Sequence, residues 1–182
     1  MTEQELLERA KAAGFAAGVI PTGAIRFEPE FRKYCAENLC GNFGVNWSCP
    51  PDCGTPEQMK ARLLAQGTAL VLRSDHNITD YRDRAAILKA KKAHNRAALQ
   101  LADALRAAGL PGLLIGGGNC DLCDTCARAE GKPCAEPERM FSCLSAYCVH
   151  VRDLADTAGL EFASEPGKMS LFGLYAFESA EL

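Results

Sequence analysis

The spacing of apolar and polar residues predicts helices and strands in alternation along the chain. Apolar positions three and four residues apart are typical of helices packed on one side. The segment at residues 55–67 is the clearest case, because Thr55 is a suitable N-cap and Pro56 suits the first turn. The longest such pattern is rich in alanine. Helices are predicted at residues 3–13, 28–41, 55–67, 83–108 and 149–158.

Shorter apolar runs bounded by glycine, proline or polar residues predict strands. They lie at residues 15–27, where the pattern fits a strand pair or a strand and turn, and at residues 68–75, 111–118, 160–164 and 169–178. This alternation predicts an α/β fold, a mixed sheet with flanking helices and with cysteine-rich loops on its rim. A length of 182 residues suits a single domain over residues 1–182.

Charge and composition exclude some classes of partner. A net charge of -3 argues against nucleic-acid binding, which needs a concentrated positive field. No apolar run approaches the roughly 20 residues that span a bilayer, and residues 1–14 predict a charged amphipathic helix instead of a signal peptide. We therefore predict a cytoplasmic protein with no membrane partner. The alanine-rich helix at residues 83–108 fits a core helix or a contact between two copies of the chain.

The strongest chemical signal is a C-x-x-C-x-x-C run, formed by Cys120, Cys123 and Cys126 and followed by Cys134. The cytosol keeps thiols reduced, so metal ligation explains ten cysteines better than disulfides do. This spacing lets three thiolates surround a 4Fe-4S cluster, whereas zinc usually takes two separated C-x-x-C pairs. Zinc, disulfides and free thiols stay as alternatives. The backbone N-H groups of residues 116–118 are candidate donors to cluster sulfur.

A first group of cysteines precedes it, namely Cys35, Cys40, Cys49 and Cys53. Their spacing fits no single common template, but glycines and prolines between them bend the chain enough to bring the four together. Trp47 is either a shield for this site or a core aromatic residue. Cys143 and Cys148 are left over as buried thiols, and one of them is an alternative to Cys53 as a ligand.

Four segments carry a family resemblance: "NWSCPPDCGTPEQ", "GGGNCDLCDTCARAEGKPCAEPERM", "SAYCVHVRDLADTAGL" and "FGLYAFE". From about Tyr34 onward the chain resembles a bacterial and archaeal domain of unknown function described as a predicted metal-binding protein. The resemblance implies metal or iron-sulfur binding through Cys35, Cys40, Cys49, Cys120, Cys123, Cys126 and Cys134. The chain departs from it at Cys53, where no cysteine is expected, and at Cys148, which replaces the usual glycine. The first departure would close a three-cysteine site with a fourth ligand.

These observations predict a cytoplasmic redox protein that carries one or two 4Fe-4S clusters and exchanges electrons with a partner protein. Arg128, Lys132 and Arg139 would offset the charge of the cluster or form a docking patch for that partner. Two alternatives stay open. An enzyme would leave one iron of the first site free to bind substrate, and a zinc-binding module would use the metal only to fix its loops.

Overall fold

Five helices and five strands make up the part of the chain that the structure, a computed structural model, describes, which is residues 1–162 and 165–178. The helices are α1 (Glu3–Ala12), α2 (Arg32–Ala36), α3 (Pro56–Leu64), α4 (Arg84–Ala107) and α5 (Val151–Thr157). The strands are β1 (Ala16–Pro21), β2 (Thr68–Asn77), β3 (Gly112–Gly116), β4 (Ser142–Cys143) and β5 (Lys168–Phe177). The predicted α/β class is confirmed.

The strands form one mixed sheet in the order β1-β2-β5-β3-β4. The pairs β1-β2, β2-β5 and β5-β3 are antiparallel, whereas β3 and β4 are parallel. β4 is only two residues long, and it pairs Ser142 with Ile115 and Cys143 with Gly116. This pairing places Cys143 beside the end of the strand that leads into the C-x-x-C-x-x-C loop.

Helices cover both faces of the sheet. Val71 and Leu174 pack into a core with α3 and α5 on one face. Leu72 and Tyr175, the next residues along the same strands, pack with α1 and α4 on the other face. Successive side chains of a strand point to opposite faces. The central strands are therefore apolar at consecutive positions, and the cysteine-rich segments are left as loops at the rim.

α3 and α4 begin where the sequence predicts. The Thr55 side chain accepts a hydrogen bond from the backbone N-H of Gln58, whose side chain bonds back to the Thr55 N-H. α4 packs Leu101 and Leu105 into the core against the sheet. The core-helix interpretation is confirmed, and a contact between copies of the chain through α4 stays a prediction.

The helix predicted at residues 28–41 is wrong in its length. A 3-10 turn at Pro29–Phe31 leads into α2, which has only five residues. The chain then enters the left-handed region at Asn38, with φ of 51°, and again at Gly41, with φ of 76°. Cys35 therefore lies in a short helix, and Cys40 lies in the turns that follow it.

The strand predicted at residues 160–164 is not formed over residues 160–162. Residues 163 and 164 lie outside the described residues. None of the helices in the described ranges is long and apolar enough to cross a membrane.

Candidate metal centres

The second group of cysteines surrounds one small cavity. A cavity of about 20 Å³ is lined by Cys120, Cys123, Cys126 and Cys134. Asn46, from the loop after α2, is also part of its lining. Cys123 is exposed, and the other three cysteines are half-buried. The structure thus brings together the four cysteines whose spacing indicated a cluster site.

A tight turn returns Cys134 towards the C-x-x-C-x-x-C run. Cys126 precedes a 3-10 turn at Ala127–Glu130, and Gly131 ends that turn with φ of 68°. Gly131 reverses the chain without the steric cost that a side chain would add at this φ. The reversal explains why seven residues separate Cys126 from Cys134 although both line the same cavity.

Three cysteines of the first group lie at one cavity, and the fourth cysteine there is Cys143, one of the two alternatives to Cys53 that the sequence left open. Cys35, Cys40 and Cys49 are the three that line this second cavity, of about 250 Å³. Cys53 does not line it. The Cys53 thiol is buried in the core, with Nη1 of Arg32 3.8 Å from its Sγ. The parallel pairing of β4 with β3 brings Cys143 to this cavity. In the sequence, the signal for this was that Cys143 and Cys148 were left without a site of their own.

Arg32 holds the segments around this first cavity together. It lies one turn before Cys35, and its guanidinium donates to the carbonyl oxygens of Gly54, at 2.9 Å, and Ala146, at 2.7 Å. Nη2 of Arg32 also lies 3.2 Å from the sulfur of Met59. These contacts join α2 to α3 and to the segment after β4. Arg32 therefore fixes the position of Cys35 relative to Cys143.

Ser48 connects the two groups of cysteines. Its side chain is fully buried, and its Oγ accepts a hydrogen bond from the backbone N-H of Cys120 at 3.0 Å. The same Oγ lies 3.8 Å from Sγ of the adjacent Cys49. The Asn46 side chain donates to the carbonyl oxygen of Cys120 at 3.1 Å. One short loop, residues 42–54, thus supplies a wall to both cavities.

Asn95 of α4 fixes the glycine-rich turn before Cys120. Its Oδ1 accepts from the backbone N-H of Gly117 at 3.1 Å, and its Nδ2 donates to the carbonyl oxygen of Asn119 at 3.1 Å. The N-H of Gly117, predicted as a donor to cluster sulfur, is therefore used by Asn95. A Cβ on Gly116 would lie 2.7 Å from Oδ1 of Asn95, so this close approach requires glycine.

Trp47 lies between the two cysteine loops. Its ring is half-buried, and its Nε1-H donates to the carbonyl oxygen of Lys132 at 2.9 Å. The Arg128 guanidinium lies 5.1 Å from the ring centroid and is paired with Asp52 at 2.8 Å. Trp47 is thus outside the core and also outside the lining of the first cavity. It attaches the first loop to the second.

Burial favours the protonated thiol at three cysteines of the first cavity, Cys35, Cys49 and Cys143, by raising the pKa of each. It raises the pKa of Cys49 to about 12 and that of Cys35 to about 11, and the nearby Cys143 adds to both shifts. Burial also raises the pKa of Cys143 and of Cys120. Metal ions and clusters bind thiolates, so binding at these sites must release protons.

The cysteines surround the two cavities without converging on a point. Within residues 1–162 and 165–178, no three His, Cys, Asp or Glu side chains are grouped so that they could hold a metal ion. The candidate metal ligands are therefore the two sets of four cysteines that line the cavities.

The chain matches one protein family over most of its length. A family model described as Predicted metal-binding protein (DUF2284) matches residues 18–175. The chain belongs to this family. The family match confirms the resemblance, and the matched segment contains all ten cysteines. No curated protein and no solved structure matches the chain.

The backbone at Cys148 has a conformation that favours glycine. Cys148 has φ of 57°, in the left-handed region where glycine is strongly favoured. Its side chain is buried, with Sγ 3.8 Å from the carbonyl oxygen of Pro29. The backbone of the turn between β4 and α5 therefore favours the glycine that the resemblance implies at this position.

Proposed function

We propose that the chain binds two 4Fe-4S clusters and transfers electrons. The observation that carries the proposal is the division of eight of the ten cysteines between two cavities, four at each. A cubane cluster takes four thiolate ligands, so each set has the right number and type of donors. The proposed ligands are Cys35, Cys40, Cys49 and Cys143 at the first cavity and Cys120, Cys123, Cys126 and Cys134 at the second.

A bound 4Fe-4S cluster supplies reversible transfer of single electrons at a potential that its surroundings set. Around the first cavity the chain offers the Ser48 hydroxyl near Sγ of Cys49, and the Lys91 side chain in the lining. A hydrogen bond to sulfur and a nearby cation both stabilise the more negative, reduced state. Ser48 and Asn46 also bond to Cys120, so the two sites share a wall through which electrons would pass.

We also propose that the protein works in a reducing, cytoplasmic setting. All ten cysteines are free thiols in the structure. Cytosolic glutathione and thioredoxin maintain cysteines in this state. An oxidising compartment would expose the thiols of Cys40 and Cys123, both at the surface, to disulfide formation.

An enzyme with an open iron is the second candidate, favoured by the size of the first cavity. This cavity is about 250 Å³, against about 20 Å³ for the second, and Tyr34, Lys91 and Asn119 also line it. In that case Cys143 would not be a ligand. One iron of the first cluster would then bind a substrate inside the cavity.

Metal analysis of two matched variants tests these proposals. We expect anaerobically purified protein to hold about eight irons and eight sulfides per chain, as two cubanes require. Cys143→Ser should lower the iron content to about four and remove one signal from the electron paramagnetic resonance (EPR) spectrum of the reduced protein. Cys53→Ser, which changes a cysteine outside both cavities, should keep about eight.

Three results would contradict the proposal in different ways. Loss of iron from Cys53→Ser alone would restore the ligand set predicted from the sequence. Full iron in Cys143→Ser would favour the enzyme with an open iron. Stoichiometric zinc without sulfide would favour the zinc-binding module and exclude electron transfer.

A further inference from the structure

The first half of α4 carries a run of basic residues without acidic neighbours in the helix. The run consists of Arg84, Lys89, Lys91, Lys92 and Arg96, and α4 contains no Asp or Glu before Asp103. All except Lys91 are exposed. None of the five forms a salt bridge with any residue that the structure describes. The Asp121 carboxylate lies near Lys92 and Arg96 without forming a salt bridge with them. The run, which we call the α4 basic run, is therefore a local excess of positive charge on a chain of net charge -3.

Two members of the α4 basic run, Arg84 and Lys91, lie at the first cavity. Lys91 is part of the cavity lining together with Cys40 and Cys143. Nη2 of Arg84 donates to the carbonyl oxygen of Leu39 at 2.7 Å, directly before Cys40 in the chain. The positive field is therefore adjacent to the cysteines that we propose hold a cluster.

Exposed apolar side chains lie at the same place. Tyr34 is 54% exposed and Leu39 is 70% exposed, and both line the first cavity. Leu88 is 52% exposed and lies one helical turn after Arg84, between the basic residues of α4. An apolar, partly aromatic centre with a charged rim is the usual composition of a protein docking surface.

The three basic residues predicted from the sequence as a docking patch are less available. Arg128 pairs with Asp52, Lys132 with Glu130, and Arg139 with Asp103. Each positive charge is thus largely offset by a carboxylate within 2.8 Å. Lys91, by contrast, lines the first cavity and forms no salt bridge with any residue in the described ranges.

We propose that the mouth of the first cavity docks a small acidic electron-carrier protein. This inference rests on the proposed function, because it needs a cluster at the first cavity. Arg84, Leu88 and Lys92 follow each other at intervals of four residues and therefore share one face of α4. The acidic rim of the carrier would face Arg84 and Lys92, and its apolar centre would cover Tyr34, Leu39 and Leu88. In the complex the cluster, once reduced by an external one-electron donor such as dithionite, would lose one electron and the oxidised carrier would gain it.

The test is the rate at which the dithionite-reduced protein reduces an acidic flavodoxin, measured by stopped-flow absorbance over a range of NaCl concentrations. The docking variant is Arg84→Glu/Lys92→Glu. The matched control is Arg9→Glu/Lys11→Glu, which makes the same charge change on exposed positions of α1. α1 packs against β1, at the sheet edge opposite β4. Iron content and EPR spectra are recorded first for each protein.

We expect the second-order rate constant of the wild-type protein to fall as salt rises, since electrostatic steering is screened. At low salt the docking variant should be slower by a factor of ten or more, whereas the control should change by about twofold or less. Leu88→Ser should also slow the reaction, and Leu64→Ser, which alters an exposed leucine of α3, should not.

Several outcomes would overturn the docking proposal. They are equal rates for the docking variant and its control, and a wild-type rate that does not depend on salt. Binding of a single-stranded oligonucleotide that is lost in the docking variant would reassign this surface to nucleic acid. Each of these outcomes counts against the docking proposal only if the wild-type protein contains iron and sulfide in the expected amounts. Absence of iron from the wild-type protein would instead contradict the proposed function itself.

Discussion

Cys148 occupies a backbone conformation that few side chains adopt. Its φ of 57° costs an L-amino acid about 1–2 kcal/mol, a cost that glycine avoids. The buried thiol is retained in spite of this cost. The residue type at this position is thus a compromise between backbone strain and side-chain burial.

A pair of variants separates these two contributions at Cys148. Cys148→Gly and Cys148→Ala both remove the sulfur, but only alanine keeps the strain of a Cβ at positive φ. We expect the glycine variant to have the higher free energy of unfolding, by about 1 kcal/mol, in urea titrations of the metal-free protein. An alanine variant as stable as the glycine variant would contradict this account.

The loop at residues 42–54 is the element that serves both cavities. Ser48 is its central link, because its hydroxyl oxygen accepts from Cys120 and lies beside Sγ of Cys49. We expect Ser48→Ala to lower the reduction potential of the cluster proposed for the first site, since a hydrogen bond that favours the reduced state is lost there, and to shift the potential at the second site, since the Cys120 N-H loses its acceptor. Potentials would be measured by EPR-monitored redox titration.

The control for this prediction is Ser145→Ala. Ser145 lines the first cavity and is exposed. It should alter the first potential at most, and leave the second unchanged. A Ser48→Ala protein in which the second potential does not move would show that the loop does not couple the sites.

The elements whose ends depend on local chemistry could be predicted from the sequence. Thr55 and Pro56 define the start of α3 through contacts within one turn, and they do so in the structure. Cys143 could not be placed in the same way. It reaches the first cavity through a two-residue parallel pairing with β3, which is too short to leave a periodic pattern. The hydrogen bond of Trp47 to Lys132 likewise depends on two loops that meet only in the folded chain.

At the scale of the whole molecule, one buried histidine makes the fold sensitive to acid. His94 is 1% exposed, its Nδ1 lies 2.7 Å from the Ser74 hydroxyl, and its Nε2 has no partner among the described residues. Burial lowers the pKa of His94 to about 4, and His76, across Ser74, acts in the same direction. Gly173 makes room for the ring, since a Cβ there would lie 2.9 Å from Nε2.

This pKa gives the sign of the pH dependence. The unfolded chain binds a proton at His94 as the pH falls below about 6.5, while the folded chain stays neutral there until about 4. The contribution of neutral His94 to the free energy of unfolding is therefore fully present above about pH 6.5 and falls by about 3 kcal/mol as the pH drops to about 4. We expect urea titrations to show this loss in the wild-type protein and a smaller loss in His94→Asn. An NMR titration that gives His94 a pKa near 6.5 would contradict it.

The position of Cys143 also has a consequence for biosynthesis. It follows Cys49 by 94 positions, so the ribosome has made more than three quarters of the 182-residue chain before the fourth wall of the first cavity exists. The cysteines at the second cavity, by contrast, are complete within a span of 15 residues. The lining of the first cavity is thus complete only once β4 has paired with β3, so a cluster there would require the folded sheet, whereas a cluster at the second cavity would require one loop and Asn46.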